Sequence, residues 1–423
     1  MKEEFLHYIW RLRQFDWKEL KTVDGEKIVV IDTGQLNTNA GPDFLDARIR
    51  IGETLWAGNV EIHINASDWM THGHQRDPAY DNVILHVVFD DNRPIYYKNK
   101  EPIPCLELRK RIPLRIFNNY EKLQNNEYWI PCQHQFHRAP IISRNLWLDR
   151  LMVERLEQRL DVMSAQLKAN QYNWEESFYQ FVASAFGLKV NVEPFERLAR
   201  SLPLLMLMKH KNNLFQIEAL LFGQAGLLEA EFKDEYPNRL KKEYSFLRKK
   251  YKLKSIARSN WKFLRMRPAN FPTIRIAQFA QLIFQSVHLF SKILVAKNVR
   301  EIENMFELKL FNYWQTHYVF DKESVKRKKS LGKNAIHLFI INTITPFLFL
   351  YGKAKDEDDF KDRAFHLLEE VPPEKNNIIT NWIDLGVVPK SAYETQALLQ
   401  LKNEYCGRKR CLECSIGAGI LKE

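Results

Sequence analysis

Glycine is scarce in this chain, 15 of 423 residues, and its placement excludes several chemistries. No GxGxxG and no GxxxxGK[ST] occurs, so no loop of backbone N–H groups is set up to cradle a nucleotide's phosphates. A GxSxG elbow and an HExxH pair are also missing, and ATP hydrolysis and serine hydrolysis are not expected. Cysteine is rare and odd in number, five in all, which argues against a secreted disulfide framework. One apolar run, Ala335 to Gly352, approaches the length of a bilayer span, but His337, Asn342 and Pro346 interrupt it. We expect a buried helix broken at Pro346, and no membrane association. The first residues, Met1 to Arg11, are charged and lack an apolar core with a small-residue cleavage site, so no export and a cytoplasmic location are expected.

What the chain does have begins with a segment near its front, Gly41-Pro42-Asp43-Phe44 followed by Gly58-Asn59-Val60-Glu61-Ile62-His63. In 44–51, Leu45, Ala47, Ile49 and Ile51 share one parity and Asp46, Arg48 and Arg50 the other, the period-2 pattern of a half-buried strand. In 59–65, Val60, Ile62 and Ile64 alternate with Asn59, Glu61, His63 and Asn65, and Gly52 marks the turn between the two. A two-residue loop at Glu53-Thr54 pairs Gly52 with Leu55, sets Glu61 opposite Asp46, and puts His63 next to Asp43. A bulge at Gly58 would change that count. Two carboxylates meeting on one edge of a hairpin can hold a hard divalent cation. Register favours Asp46 as the partner of Glu61, whereas the motif favours Asp43, which we prefer.

The predicted order at the front is a helix over 4–20, a strand over 27–31, the hairpin, a helix or loop over 67–81 and a buried strand over 83–89. With the spacing Pro42-Asp43…Glu61-x-His63, this order resembles the PD-(D/E)xK phosphodiesterase superfamily over roughly the first 100 residues. The resemblance implies that Asp43 and Glu61 bind Mg²⁺ or Mn²⁺ and that His63 takes the place of the Lys that orients or activates water. A neutral His is a weaker electrostatic partner for phosphate than Lys but a competent base near neutral pH. The whole chain also resembles an uncharacterised bacterial domain-of-unknown-function family, which supplies no activity.

Asp68, His72, His74, Asp77 and His86 crowd the same region, so a rival site is open. His72-x-His74 with His63, His86 or Asp77 would suit Zn²⁺ or a di-metal pair. His86 shares its parity with Ile84 and Val88 and reads more simply as a core histidine.

Three cysteines lie close to the C-terminus as Cys406-x4-Cys411-x2-Cys414, flanked by Arg408, Lys409 and Arg410. A basic flank favours thiolates, and three thiolates held close suit zinc or an iron–sulfur cluster. Cys132 is the fourth ligand we expect, with His134 or His137 as substitutes. The arrangement resembles nucleases of the same superfamily that carry a cluster formed by distant cysteines, with a different spacing.

Basic residues exceed acidic ones by 11, and the excess is concentrated. From Arg239 to Arg267 there are twelve Lys/Arg and one acid, Glu243, interleaved with Tyr244, Phe246, Tyr251, Trp261 and Phe263. Within it, Arg248, Lys249, Lys250, Lys252, Lys254, Arg258, Arg265 and Arg267 are candidate phosphate contacts, and the rings are candidate stacking platforms or core. A shorter run is Lys326-Arg327-Lys328-Lys329.

These readings give an α+β or α/β chain. Residues 1–137 form a mixed-sheet nuclease-like domain, 138–400 a larger helical domain with the basic stretch, and 401–423 a Cys-rich tail. Residues 355–375 are charged and expected to be a loop. The expected function is a metal-dependent phosphodiesterase or nuclease acting on nucleic acid. The alternatives are a non-catalytic nucleic-acid-binding protein on a decayed nuclease fold, or a His-ligated zinc hydrolase acting on a small molecule. No protein partner is assigned.

Overall fold

A computed structural model describes residues 1–286 and 288–422. It is α+β: an N-terminal mixed sheet followed by a mostly helical region. The chain divides into two compact units, one of Met1–Asp149 with Gln400–Glu423, the other of Arg150–Leu399. The boundary falls inside the helix Ile141–Ala169, and the cysteine tail groups with the first unit.

The first unit is built on β1 (Ile28–Asp32), β2 (Gln35–Leu36), β3 (Phe44–Ile51), β4 (Thr54–Asn65), β5 (Val83–Asp90) and β6 (Cys105–Glu107). Their order is β1-β3-β4-β5-β6, with β2 also paired to β3. Pairing is antiparallel from β1 to β4 and parallel from β4 to β6. The segment Val83 to Val88 is buried throughout, as a central parallel strand requires.

The hairpin turns at Gly52-Glu53, with Ile51 opposite Thr54. Its register then shifts between Phe44 and Ala47, where Asp46 takes a left-handed φ of 59°. This bulge, and not one at Gly58, resets the count. Phe44 opposite Val60 becomes the core residue in place of Leu45. Asp46 is turned out to solvent, its N–H on the Asn59 side chain at 3.4 Å, so it is not the partner of Glu61.

Helix α1 (Glu3–Arg11) is shorter than expected and packs against β4. After it the chain turns at Arg13, φ 49°, and Trp10 Nε1 donates to the Thr33 carbonyl at 3.0 Å. The crossover from β4 to β5 carries the short helix α2 (Asp68–Thr71). Helix α3 (Leu114–Asn125) stacks Tyr120 on Phe5 at 4.3 Å and receives the tail, with Asn119 Nδ2 donating to the Ile420 carbonyl at 3.2 Å.

Among its described residues the second unit has helices and one hairpin, His317–Val319 with Lys322–Glu323. Its core stacks Phe178, Phe290 and Phe347 with Trp174. Pro203 separates the helices Val192–Ser201 and Leu204–Met208. Residues Asp358–Glu370 are a helix, not a loop, because Ala364, Leu367 and Leu368 recur on one buried face. The helix Lys333–Lys355 meets the length and apolarity of a membrane span, yet 72% of its 18-residue apolar window is buried within the protein. Pro346 does not break it. A π turn at Ile340–Ile344 precedes the proline and relieves the clash of its ring with the carbonyl four residues back. The Ile341 carbonyl is taken up by Arg159 Nη1 at 3.1 Å.

The hairpin and crossover meet closely at Gly58, where an added Cβ would stand 2.5 Å from Ile84 Cγ2 and 2.7 Å from the Asn82 carbonyl oxygen. Gly58→Ala is therefore expected to destabilise the protein by about 1–3 kcal/mol, read as a lower urea midpoint; an unchanged midpoint would contradict this packing.

Candidate metal centre

The bulge in β3 puts Asp43 beside Glu61. The Asp43 N–H donates to Glu61 Oε2 at 3.1 Å, and Asp43 Oδ2 accepts the Ile62 N–H at 2.9 Å. Glu61 and His63 are two apart on β4 and share a face, and His86 neighbours Glu61 across the β4–β5 pair. His72 and His74 come from the crossover. Gly73 between them has φ 78°, a left-handed turn that glycine adopts without steric cost. The ring centroids of His72 and His74 then lie 5.0 and 5.2 Å from that of His63. Finally α1 contributes His7, whose Nε2 is 3.2 Å from Asp43 Oδ2.

Some contacts inside this cluster are hydrogen bonds, His63 Nε2 with His72 Nδ1 at 3.1 Å among them, and others have the spacing of ligands around one cation. His74 Nε2 lies 3.2 Å from Glu61 Oε1, and His63 Nε2 lies 3.5 Å from the same oxygen. Yet among the described residues the buried nitrogens His7 Nε2 and His74 Nε2 have no hydrogen-bond partner of proper geometry. Ligand atoms about 2.1 Å from one ion stand roughly 3.0–3.4 Å apart, the edge of an octahedron or tetrahedron. One ligand nitrogen from each of His63, His72 and His74 fits within a mutual 4.8 Å. His63 Nδ1 is 2.8 Å from His86 Nε2, the outer contact that fixes a ligating imidazole's tautomer.

Charge follows the same pattern. Burial, and then the neighbouring imidazoles, push the His63 pKa down to about 2, and burial and His74 push His86 down to about 3. Both rings are thus neutral, the form that binds metal. Burial works against a charged His7, but Asp43 beside it, with Glu3 and Glu61, outweighs burial and raises its pKa. Burial raises Glu61, with Asp43 adding to it and His74 opposing.

Of the residues read from the sequence, Asp43, Glu61, His63, His72 and His74 converge, with His86 behind them. Asp46 does not join them. Asp68 and Asp77 serve the backbone, accepting the N–H of Asn65 and of Ala79 at 2.9 Å each. His7 and Glu3 were missed as site residues. The signal was there in their i, i+4 spacing on one helix, but nothing in the sequence says that α1 lies over β4.

The other candidates divide. Cys132, Cys411 and Cys414 are buried and Cys406 half-buried, all as free thiols. His134 and His137 pack on Tyr128 and Phe136. Arg248, Lys249, Lys250, Lys252, Lys254, Arg258, Arg265 and Arg267 are all exposed, but the interleaved rings are mostly structural. Tyr244 bonds Gln224 inside the second unit and Trp261 Nε1 donates to the Ala225 carbonyl at 2.8 Å; Phe246 is exposed. Lys329 leaves its run, buried over the Tyr318 ring and donating to the His317 carbonyl at 3.0 Å.

His63 and His86 are neutral when folded and protonate near their ordinary 6.5 when unfolded. The unfolded state therefore binds more protons below that value, and stability falls with acidification. We expect the melting temperature of the metal-free protein to drop between about pH 7 and 4, and to drop less in His86→Phe; equal slopes would contradict a buried neutral His86.

A family model described as "Protein of unknown function (DUF2851)" matches residues 3–377. No curated protein matches the chain. No solved structure matches it. The matched span contains every side chain of the histidine–carboxylate cluster, and on a match over most of its length the chain belongs to the DUF2851 family of proteins of unknown function.

Proposed function

We propose that this chain is a divalent-metal-dependent hydrolase of phosphodiester bonds that acts on nucleic acid. The observation carrying the reading is the convergence of Asp43, Glu61, His63 and His74 at ligand spacings, with buried nitrogens that lack hydrogen-bond partners among the described residues. A mixed set of imidazoles and carboxylates suits Mn²⁺, Fe²⁺ or Zn²⁺ better than Mg²⁺. When bound, such an ion supplies a Lewis acid for water and for a phosphoryl oxygen.

The chain's own residues divide the remaining work. Asp43 and Glu61 offset the ion's charge, and their bonds to β3 and β4 backbone hold them still. His63 stands where the superfamily it resembles has Lys, but it is buried among other imidazoles, so it holds the ion and does not reach for phosphate. His72 lies at the exposed rim and can pass protons to solvent. The exposed basic side chains from Arg248 to Arg267 supply sequence-independent affinity for a polyanion. The three-histidine grouping favours a second reading on the same residues, a zinc hydrolase of a small substrate.

Labelled single- and double-stranded DNA and RNA incubated with Mg²⁺, Mn²⁺, Zn²⁺ or EDTA should be cut in a metal-dependent way. Glu61→Gln and Asp43→Asn should lower the rate about 100-fold or more with oligonucleotide binding kept. Undiminished cleavage in both variants would reject the assignment. Binding without turnover would favour the non-catalytic protein, and neither binding nor turnover the small-molecule hydrolase. Replacing Lys249, Lys250, Lys252 and Lys254 together by Gln should weaken binding to all sequences alike and reduce the salt slope by about one for each phosphate no longer neutralised. An unchanged slope would remove this stretch from the interface.

A further inference from the structure

The run Arg408-Lys409-Arg410 beside the tail cysteines has no part in the function proposed above. With Lys2, His7 and Arg11 it lines a cavity of about 320 Å³ in the first unit, within the size range of small-ligand sites, about 300–1,000 Å³. Four segments wall it. Glu4, His7, Tyr8 and Arg11 recur at i, i+3, i+4 and i+7 and so share one face of α1. Tyr120 and Gln124 come from α3, Leu36 and Thr38 from the end of β2 and the turn after it, and the basic run from the tail. The tail is tied to the other walls. Tyr8 OH donates to the Ala418 carbonyl at 3.5 Å, Gln124 Nε2 to the Lys409 carbonyl at 3.0 Å, and Lys409 Nζ to the Asn126 carbonyl at 2.9 Å.

Five permanent cations share this lining with two carboxylates, Glu4 and Glu413. Arg410 Nε pairs with Glu413 at 2.9 Å, and Arg408 pairs with Glu404 at 3.0 Å. Lys409 is held by backbone carbonyls, which orient its charge without cancelling it. Lys2 and Arg11 are exposed and form no ion pair among the described residues. Like charges drawn together from distant parts of the sequence repel one another unless an anion offsets them. The cavity also adjoins the candidate metal centre. His7 lines it, and His7 Nε2 stands 3.2 Å from Asp43 Oδ2. Leu36 and Thr38 flank Asn37, whose backbone N–H donates to the Asp43 carbonyl at 2.7 Å.

We propose that this cavity binds a phosphate group, and that on a nucleic acid it takes the terminal phosphate monoester, so that a neighbouring phosphodiester lies at the histidine–carboxylate cluster. The choice of nucleic acid rests on the function proposed above; the phosphate site does not. A monoester carries a charge of about −1.5 to −2 at pH 7 and three acceptor oxygens, whereas each phosphodiester carries one charge. A recess with surplus cations therefore favours the end of a chain over its interior. Walls from four segments suit an end for a second reason, since an unbroken strand has to leave again. Arg11 offers a fork that fits two phosphate oxygens, and Lys2 and Lys409 act as point charges. The cavity takes no part in breaking a bond. It sets the substrate's position, and the hydrolase works inward from a phosphorylated end.

The test uses full-length protein in EDTA, so that no metal at the histidines competes for phosphate. It is titrated by calorimetry with inorganic phosphate, and by fluorescence anisotropy with one oligonucleotide bearing a 5′-phosphate, a 3′-phosphate or neither. Expected is saturable binding of one phosphate per chain, with one phosphorylated end bound about tenfold or more tighter than the unphosphorylated oligonucleotide. Lys2→Gln with Arg11→Gln should weaken phosphate binding about tenfold or more and remove that preference. Lys18→Gln with Lys21→Gln, which takes the same charge from exposed positions outside the cavity, should change neither. No phosphate binding by the wild type, or an affinity that the first pair leaves unchanged or both pairs lower alike, would overturn the site. Equal affinity for the three oligonucleotides would overturn the assignment to a chain end. Metal-dependent cleavage by a protein that binds no phosphate would reject the cavity and keep the hydrolase; phosphate binding without cleavage would do the reverse. The wild-type titrations need no variant to fold.

Discussion

Two hydrogen bonds join the start of β3 to the middle of β4, and the candidate site depends on them. Each joins a carboxylate to a backbone N–H of the facing strand, Glu61 to Asp43 and Asp43 to Ile62. They form because Asp46 adopts a left-handed conformation and adds one residue to β3. Without that bulge, parity would set Asp43 against Ile62, and the two acids would leave on opposite faces. A backbone irregularity of one residue therefore decides whether a pair of carboxylates exists at all. Bulges beside functional sites commonly re-aim side chains in this way.

Periodicity was enough to read β1, β3 and β5 and the helical character beyond residue 140. It could not read the bulge, because Asp46 carries no glycine to announce its positive φ and Leu45 is as apolar as Phe44. The same limit explains the errors in the second unit. Pro346 looks like a helix breaker in one dimension, and only the π turn ahead of it shows how the helix continues. The charged residues 358–370 look like a loop until the few apolar positions among them are seen to face one side. Of the site, the residues within one short segment were legible. His7 was not, since the packing of α1 on β4 is a tertiary fact.

The cluster also shows how a fold protects ligand-type side chains from water without satisfying them. Five imidazoles and two carboxylates lie within one small region of the first unit, some of them buried beneath Trp69 and Tyr80, which pack edge-on and stacked against His74. Buried polar atoms without partners are costly, and among the described residues His7 Nε2, His74 Nε2 and His86 Nδ1 are such atoms in this one region. The basic stretch in the second unit presents the opposite case. Its charges are spread over exposed positions, and of its five rings Tyr244 and Trp261 are buried, so it offers a diffuse field more than a set of shaped contacts.

The first unit is discontinuous in sequence, since residues 150–399 lie between its two parts. Synthesis from the N-terminus therefore delivers the sheet and the histidine cluster within the first 107 residues, while α3 waits for a partner from beyond residue 400. Until then the side of α3 from which Asn119 reaches Ile420 is open to solvent and to other chains. Closing so long a loop costs little more entropy than closing a short one, but the order of events is fixed by the ribosome. Packing of the first unit is completed only after residues 400–422 have been made.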